Sequence, residues 1–197
     1  MELDKVIEIR RSIRKFKQDP VPDETINKIL EAARLAPSGS NIQPWRFIIA
    51  KSDQEKEKLR SVTPFRFALK APVLIVCCAD MTALEKRDDR VNELFQAGVF
   101  NDVEMDGLYA VPERTKEQAL SYLAMNVGIA ITYIMLKASD LGLGTCWIGG
   151  FDPKKTKEIL NLDENLYVIA LLPIGYYDRL PSQRPRFSLD KLILKTT

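Results

Sequence analysis

Four short segments hold the residue types from which a site could be assembled. Near the N-terminus, Arg10-Arg11-Ser12-Ile13-Arg14 sets three guanidinium groups around a hydroxyl. Planar arginine forks beside a serine match the oxygens of a phosphate. The same run also reads as a solvated basic patch. In the stretch from Pro37 to Pro44, Gly39 permits close backbone approach to a ligand. Ser38, Ser40, Asn41 and Gln43 add short donors and acceptors, suited to polyol hydroxyls or the edge of a ring. The plainer reading there is a helix stop followed by a polar turn. Ile148-Gly149-Gly150 offers two adjacent glycines, whose amides can reach a flat ligand or an anion. Arg184 and Arg186 alternate, so in extended chain they share a face.

What is missing narrows the chemistry further. The 197 residues include no histidine. That excludes a Ser-His-Asp triad, a Cys-His pair, histidine metal sites and a histidine general acid or base. Three cysteines, Cys77, Cys78 and Cys146, form no CxxC pair and cannot supply a four-thiolate site from one chain. Cys77 and Cys78 lie in an apolar run and read as buried, inert thiols. The glycines fit neither GxGxxG nor the phosphate loop with its lysine. No carboxylate pair stands out; Glu31, Asp88 and Asp89 read as ordinary charges. We therefore expect no catalytic side chain and no metal, and a bound cofactor that carries the reaction. The 29 basic and 27 acidic residues leave a net charge of +2, which gives no case for nucleic acid. No apolar stretch is expected to reach membrane-spanning length without polar interruption, and the N-terminus does not read as a signal peptide. A cytoplasmic protein is the default expectation.

The elements that must position these segments mix helices and strands in one α+β unit. A helix over 3–12 is expected to turn Leu3, Val6, Ile7 and Ile9 inward. A second, after Pro22, has Ile26, Ile29, Leu30 and Ala33 as its inner face. Strands are expected at 45–50, 72–79, 144–148 and 167–174, with a charged helix from Asp53 to Arg60. Trp45 reads as a core anchor. Thr115 and Gln118 have capping-box spacing for a helix over 116–139, so apolar that it should be buried nearly all round, with Gly142 able to end it. Such a helix makes a subunit interface plausible. Asp152 and Pro153 suit the cap and first position of another helix. Residues 81–115 read as a variable helical excursion or lid holding Phe95, Phe100, Met105, Leu108 and Tyr109.

Taken in order, RRSIRKF at 10–16, APSGSNIQPWRF at 36–47, GLGTCWIGGFDP at 142–153 and RPR at 184–186 resemble the nitroreductase family of FMN flavoproteins. The resemblance spans nearly the whole chain, 1–197. It implies one α+β domain with a central, mainly antiparallel β-sheet surrounded by helices. It also implies a homodimer with FMN at the subunit interface and the long helix in the dimer core. In family terms Arg10, Arg11 and Ser12 look like ligands of the phosphate and ribityl chain, with Arg14 at the pyrimidine side. Pro37, Ser38, Gly39, Ser40 and Asn41 resemble the loop meeting the same FMN from the partner, supported by Gln43. Ile148, Gly149 and Gly150 resemble the segment near flavin N5, and Arg184 and Arg186 the late basic pair at the phosphate. The implied activity passes electrons from NAD(P)H to a nitroaromatic, quinone or similar electron-poor acceptor in ping-pong fashion. Alternatives on the same fold are a flavin-dependent dehydrogenase, a dehalogenase or a flavin-fragmenting enzyme, and a non-catalytic FMN-binding protein. Two departures stand out: PFRFALKA at 64–71 has no asparagine where some members use one, and Ile148 replaces a glutamate common before the glycine near N5.

Overall fold

The apolar run that follows Pro72 forms the centre of the molecule. In the computed structural model, which describes residues 1–103 and 113–196, it is strand β2, Val73–Asp80, with every residue buried. Alternation sends Val73, Ile75, Cys77 and Ala79 into one apolar cluster and Leu74, Val76 and Cys78 into another. Strands β1, Trp45–Ala50, and β4, Leu166–Gly175, flank it antiparallel, and β3, Gly144–Thr145, pairs antiparallel with β4. The order is β1-β2-β4-β3.

Helices cover both faces. Helix α1 is Leu3–Ile9, α2 Asp23–Arg34, α3 Asp53–Lys58, α4 Arg66–Leu69, α5 Arg87–Gln96, α6 Lys116–Asp140 and α7 Pro153–Ile159. Residues of α2 and α6 share the first cluster; residues around α4 and α7 share the second. The architecture is the anticipated α+β arrangement around an antiparallel sheet. Trp45 is buried in the first cluster as a core anchor. Of the excursion, α5 is helical; Met105, Leu108 and Tyr109 lie outside the described residues.

Both ends of α6 are set by local chemistry. Gln118 N–H donates to Thr115 Oγ1 (3.3 Å) while Thr115 N–H donates to Gln118 Oε1 (2.9 Å), the reciprocal capping box. At the other end Gly142 takes φ +76°, and the N–H groups of Leu143 and Gly142 turn back to the carbonyls of Ala138 and Ser139. That is a Schellman stop, which favours glycine at the left-handed position.

Three expectations need correction. Helix α6 is not buried all round: Leu123, Val127, Ile131 and Ile134 are inside, but Met125 is 63% exposed, Ile129 38% and Tyr133 39%. It is also long and apolar enough to cross a membrane by length and composition, which no stretch was expected to be; here its inner face packs on α2 and the sheet. Helix α1 stops at Ile9 rather than residue 12, because the chain beyond it extends along β3. Of its expected inner face only Val6 is buried, while Leu3 and Ile7 remain exposed.

The cysteines face a core that disfavours thiolate. Burial raises Cys77 well above the usual thiol value and pushes Cys78 up to about 12. Folding therefore holds protons that the unfolded chain releases. The stabilising contribution is complete below the unfolded thiol pKa of about 8.5 and is lost as pH rises from there towards the folded value. Urea melts between pH 8 and 10.5 should show stability falling through this window, and Cys77→Ala/Cys78→Ala should flatten the fall.

Candidate functional site

The strap after α1 owes its position to an absent side chain. Ser12 bridges Thr145 in parallel, and Ile13 N–H donates to the Thr145 carbonyl at 2.8 Å, so residues 12–13 extend the sheet beyond β3. A Cβ on Gly144 would collide with Ile13 Cγ1 and lie 2.8 Å from Ile13 Cβ and 2.9 Å from Tyr177 Cδ1. Glycine thus lets the strap lie flat. Gly144→Ala should push the strap off β3, lowering the melting temperature and weakening any ligand held by Arg10 to Arg14. The double variant Gly144→Ala/Ile13→Ala should recover part of both losses, measured as a coupling energy in thermal melts and ligand titrations.

The strap and the C-terminal tail bring like charges together. Arg10 is half-buried, and no hydrogen bond or ion pair engages its guanidinium among the described residues. Burial, then the charges of Arg186 and Arg11, hold it below the ordinary arginine value. Arg11 is tied by Nη1 to the carbonyls of Glu8 and Arg10, closing the end of α1. Its Nε is buried without a partner, as is Thr145 Oγ1. Arg14 and Arg184 flank Cys146: burial raises that thiol, and these two charges and Ser12 partly offset the rise. Arg186 turns its Nη1 to the carbonyl of Pro185 at 3.1 Å. The Arg10 guanidinium beside the orphaned Arg11 Nε and Thr145 Oγ1 suits a multivalent anion such as a phosphate monoester. The arrangement brings Arg10, Arg11, Ser12, Arg14, Arg184 and Arg186 to one edge of the sheet.

Ile148 continues from that edge. It is buried and exchanges backbone hydrogen bonds with Leu171 at 2.9 and 3.1 Å, leaving Gly149 and Gly150 exposed beyond it. Gly150 lies against the Phe65 ring and its carbonyl accepts from Thr63 Oγ1 at 3.0 Å. Arg66 is turned to the carbonyls of Thr63 and Arg60, so the stretch at 64–71 sends that cation to its own backbone.

The loop from Pro37 to Gln43 lies elsewhere. Gly39 N–H donates to Asn126 Oδ1 (2.9 Å), and Asn126 Nδ2 donates to the Tyr122 carbonyl (2.7 Å), which fastens the loop to the N-terminal half of α6. A Cβ on Gly39 would meet the Tyr122 hydroxyl. Ser40, Asn41 and Gln43 all take positive φ, at 51°, 52° and 45°. Each such non-glycine residue costs about 1 kcal/mol or more, and such strain gathers at binding loops. Gln43 holds the shape: its N–H donates to Ser38 Oγ (3.0 Å) and its Nε2 to Asn41 Oδ1 (3.1 Å).

The site residues thus form two groups within one protomer. Arg10 and Arg11 adjoin Ser139 at one end of α6, while the loop is fastened at Asn126. Thirteen residues of helix separate those anchors, roughly 20 Å at 1.5 Å per residue. Asn126 and Tyr122 were not singled out in the sequence. The available signal was one amide inside an otherwise apolar stretch, a group that must find a partner when buried.

A family model described as the nitroreductase family matches residues 7–176. A Thermus thermophilus protein named NADH dehydrogenase is 31% identical over 188 residues, covering 94% of this chain and 91% of its own. A Rhodospirillum rubrum protein named 5,6-dimethylbenzimidazole synthase is 30% identical over 185 residues, covering 88% of this chain and 81% of its own. A crystal structure from Exiguobacterium sibiricum, described as a nitroreductase in complex with FMN, superposes with a TM-score of 0.84 at 24% identity. It covers 100% of this chain and 98% of that one.

Proposed function

This chain belongs to the nitroreductase family, and from that premise we propose that it is an FMN-dependent NAD(P)H oxidoreductase. It works as a homodimer and passes electrons to a small electron-poor acceptor, a nitroaromatic or a quinone, in the cytoplasm. The observation that carries the reading is the half-buried, unpaired Arg10 beside Arg11 and Arg186 at the edge of the sheet. It calls for a phosphate.

Bound FMN supplies the redox chemistry. Arg10, Arg11 and Ser12 would hold its phosphate and ribityl chain, with Arg184 and Arg186 also at the phosphate. Arg14 faces the pyrimidine side, where a fixed positive charge favours negative charge on the ring. The exposed Gly149 and Gly150, which carry no side chain, would let the backbone approach the ring. Pro37 to Asn41 of a second copy complete the site, because the roughly 20 Å between the two groups keeps one protomer's loop from its own arginines. One open face serves nucleotide and acceptor in turn, which gives ping-pong kinetics.

Purified protein, reconstituted with FMN and desalted, should keep a flavin spectrum; failure to retain any flavin overturns the cofactor. Anaerobic mixing with NADH or NADPH should bleach that spectrum, and a nitroaromatic or quinone should restore it. Flavin that neither nucleotide reduces overturns the reductase. The likeness to the named benzimidazole synthase supports one other reading, a flavin-consuming enzyme. In that case flavin would disappear with turnover instead of cycling.

A further inference from the structure

A second cationic site lies between the loop at 42–46 and the start of α5. There a cavity of about 220 Å³ is lined by Ile42, Gln43, Trp45, Arg46, Ala83, Lys86 and Arg90. Arg46 is held in place: its Nη2 pairs with the buried Asp80 carboxylate at 2.8 Å, and its Nη1 donates to the carbonyls of Gln43 and Trp45. Arg90 pairs with Glu93 at 2.6 Å. Lys86 forms no ion pair among the described residues. It also occupies the N-cap of α5 and supplies no side-chain cap. Among the described residues three cations and no carboxylate line the cavity itself, with the exposed Asp88 and Asp89 beside it on the first turn of α5. Through Gln43, two residues beyond Asn41 and bonded to it, the cavity adjoins the strained loop.

We propose that this cavity seats a phosphate group of the reduced nicotinamide dinucleotide and so sets how tightly the electron donor binds. The inference rests on the reductase reading. It assigns Arg46, Lys86 and Arg90 to the adenylate half of the donor, away from the arginines given to FMN. A phosphate here gains a charge-assisted contact from the rigid Arg46 and from Lys86, which pairs with no carboxylate among the described residues. Such contacts hold the substrate equally before and during reaction, so their loss falls on KM rather than kcat.

The test uses the FMN-loaded dimer. In Lys86→Ala and Arg90→Gln, KM for NADPH, NADH or both should rise about tenfold, and further in Lys86→Glu. Lys86→Arg should restore most of the affinity. A rise confined to NADPH marks the 2′-phosphate as the occupant; a rise for both marks the adenylate-side phosphate of the pyrophosphate. Reduced nicotinamide mononucleotide, which lacks the adenylate, should react identically with every variant. Dinucleotide KM values unchanged within twofold, or an equal change for the mononucleotide, overturn the assignment. If the wild-type flavoprotein oxidises no nicotinamide nucleotide, the reductase reading fails on its own. Calorimetry with adenosine 2′,5′-bisphosphate then decides the cavity separately. Binding weakened in Lys86→Glu sustains a phosphate site, and absence of binding to the wild type removes it.

Discussion

Arg10→Ala should yield a folded protein that has lost its flavin. Arg10 is half-buried and unpaired among the described residues, and the charges of Arg186 and Arg11 repel it. In the free protein its charge is a burden, so removing it should leave the melting temperature equal or higher. In the proposed holoprotein the same charge would face the FMN phosphate. A bidentate arginine–phosphate contact stabilises by about 3 kcal/mol, on the order of a hundredfold in Kd. Flavin fluorescence titration of the apoprotein measures the second effect, and thermal melts with and without FMN measure the first. The opposite signs separate a ligand-binding role from a structural one. A drop in apoprotein stability with unchanged FMN affinity would overturn it. Arg10→Lys should fall between, because an ammonium keeps the charge but loses the fork.

The parts legible in the sequence were those whose cause is local. The strand expected at 45–50 is found at Trp45–Ala50, and that at 72–79 is found one residue later, because β2 is an uninterrupted apolar run bounded by Pro72 and buried on both faces. The ends of α6 follow from Thr115, Gln118 and Gly142, each of which acts on its own neighbours. The strand expected over 144–148 is shorter for a non-local reason. Cys146 N–H donates to the Pro173 carbonyl, but Pro173 has no N–H to return, so the ladder lapses before Ile148 meets Leu171. Likewise Arg10 to Arg14 leave the helix to lie along β3, a pairing set by Gly144 more than 130 residues on. The arginines were visible as a phosphate motif. Which other residues hold the site together was not, because Asn126, Tyr122 and Thr145 act only through the tertiary contacts they make.

A charge placed on the exposed stripe of α6 should split the dimer and the flavin site together. Met125, Ile129 and Tyr133 recur every four residues and so share one face of the helix, each remains exposed, and Tyr133 lines one apolar hollow with the exposed Leu3 and Ile7 of α1. Apolar side chains in such a row favour a second copy, and a two-fold axis makes the contact self-complementary. With the axis close to Tyr133, at the C-terminal end of this stripe, the Asn126 level of one helix lies opposite the Ser139 level of the other. The loop of one protomer then comes level with the arginines of its partner, so the roughly 20 Å that divides the two groups within a chain is closed between chains. Ile129→Glu enters the interface twice. Each copy forfeits about 2 kcal/mol of apolar burial and adds a carboxylate without a partner, so the dimer should weaken by at least a hundredfold. Light scattering at micromolar protein should report half the wild-type mass, and FMN affinity should collapse although no FMN-contact residue has changed. Ile129→Leu should retain both. A monomeric variant that binds FMN as tightly as the wild type would place the whole site within one chain; an undiminished dimer would place the interface on another face.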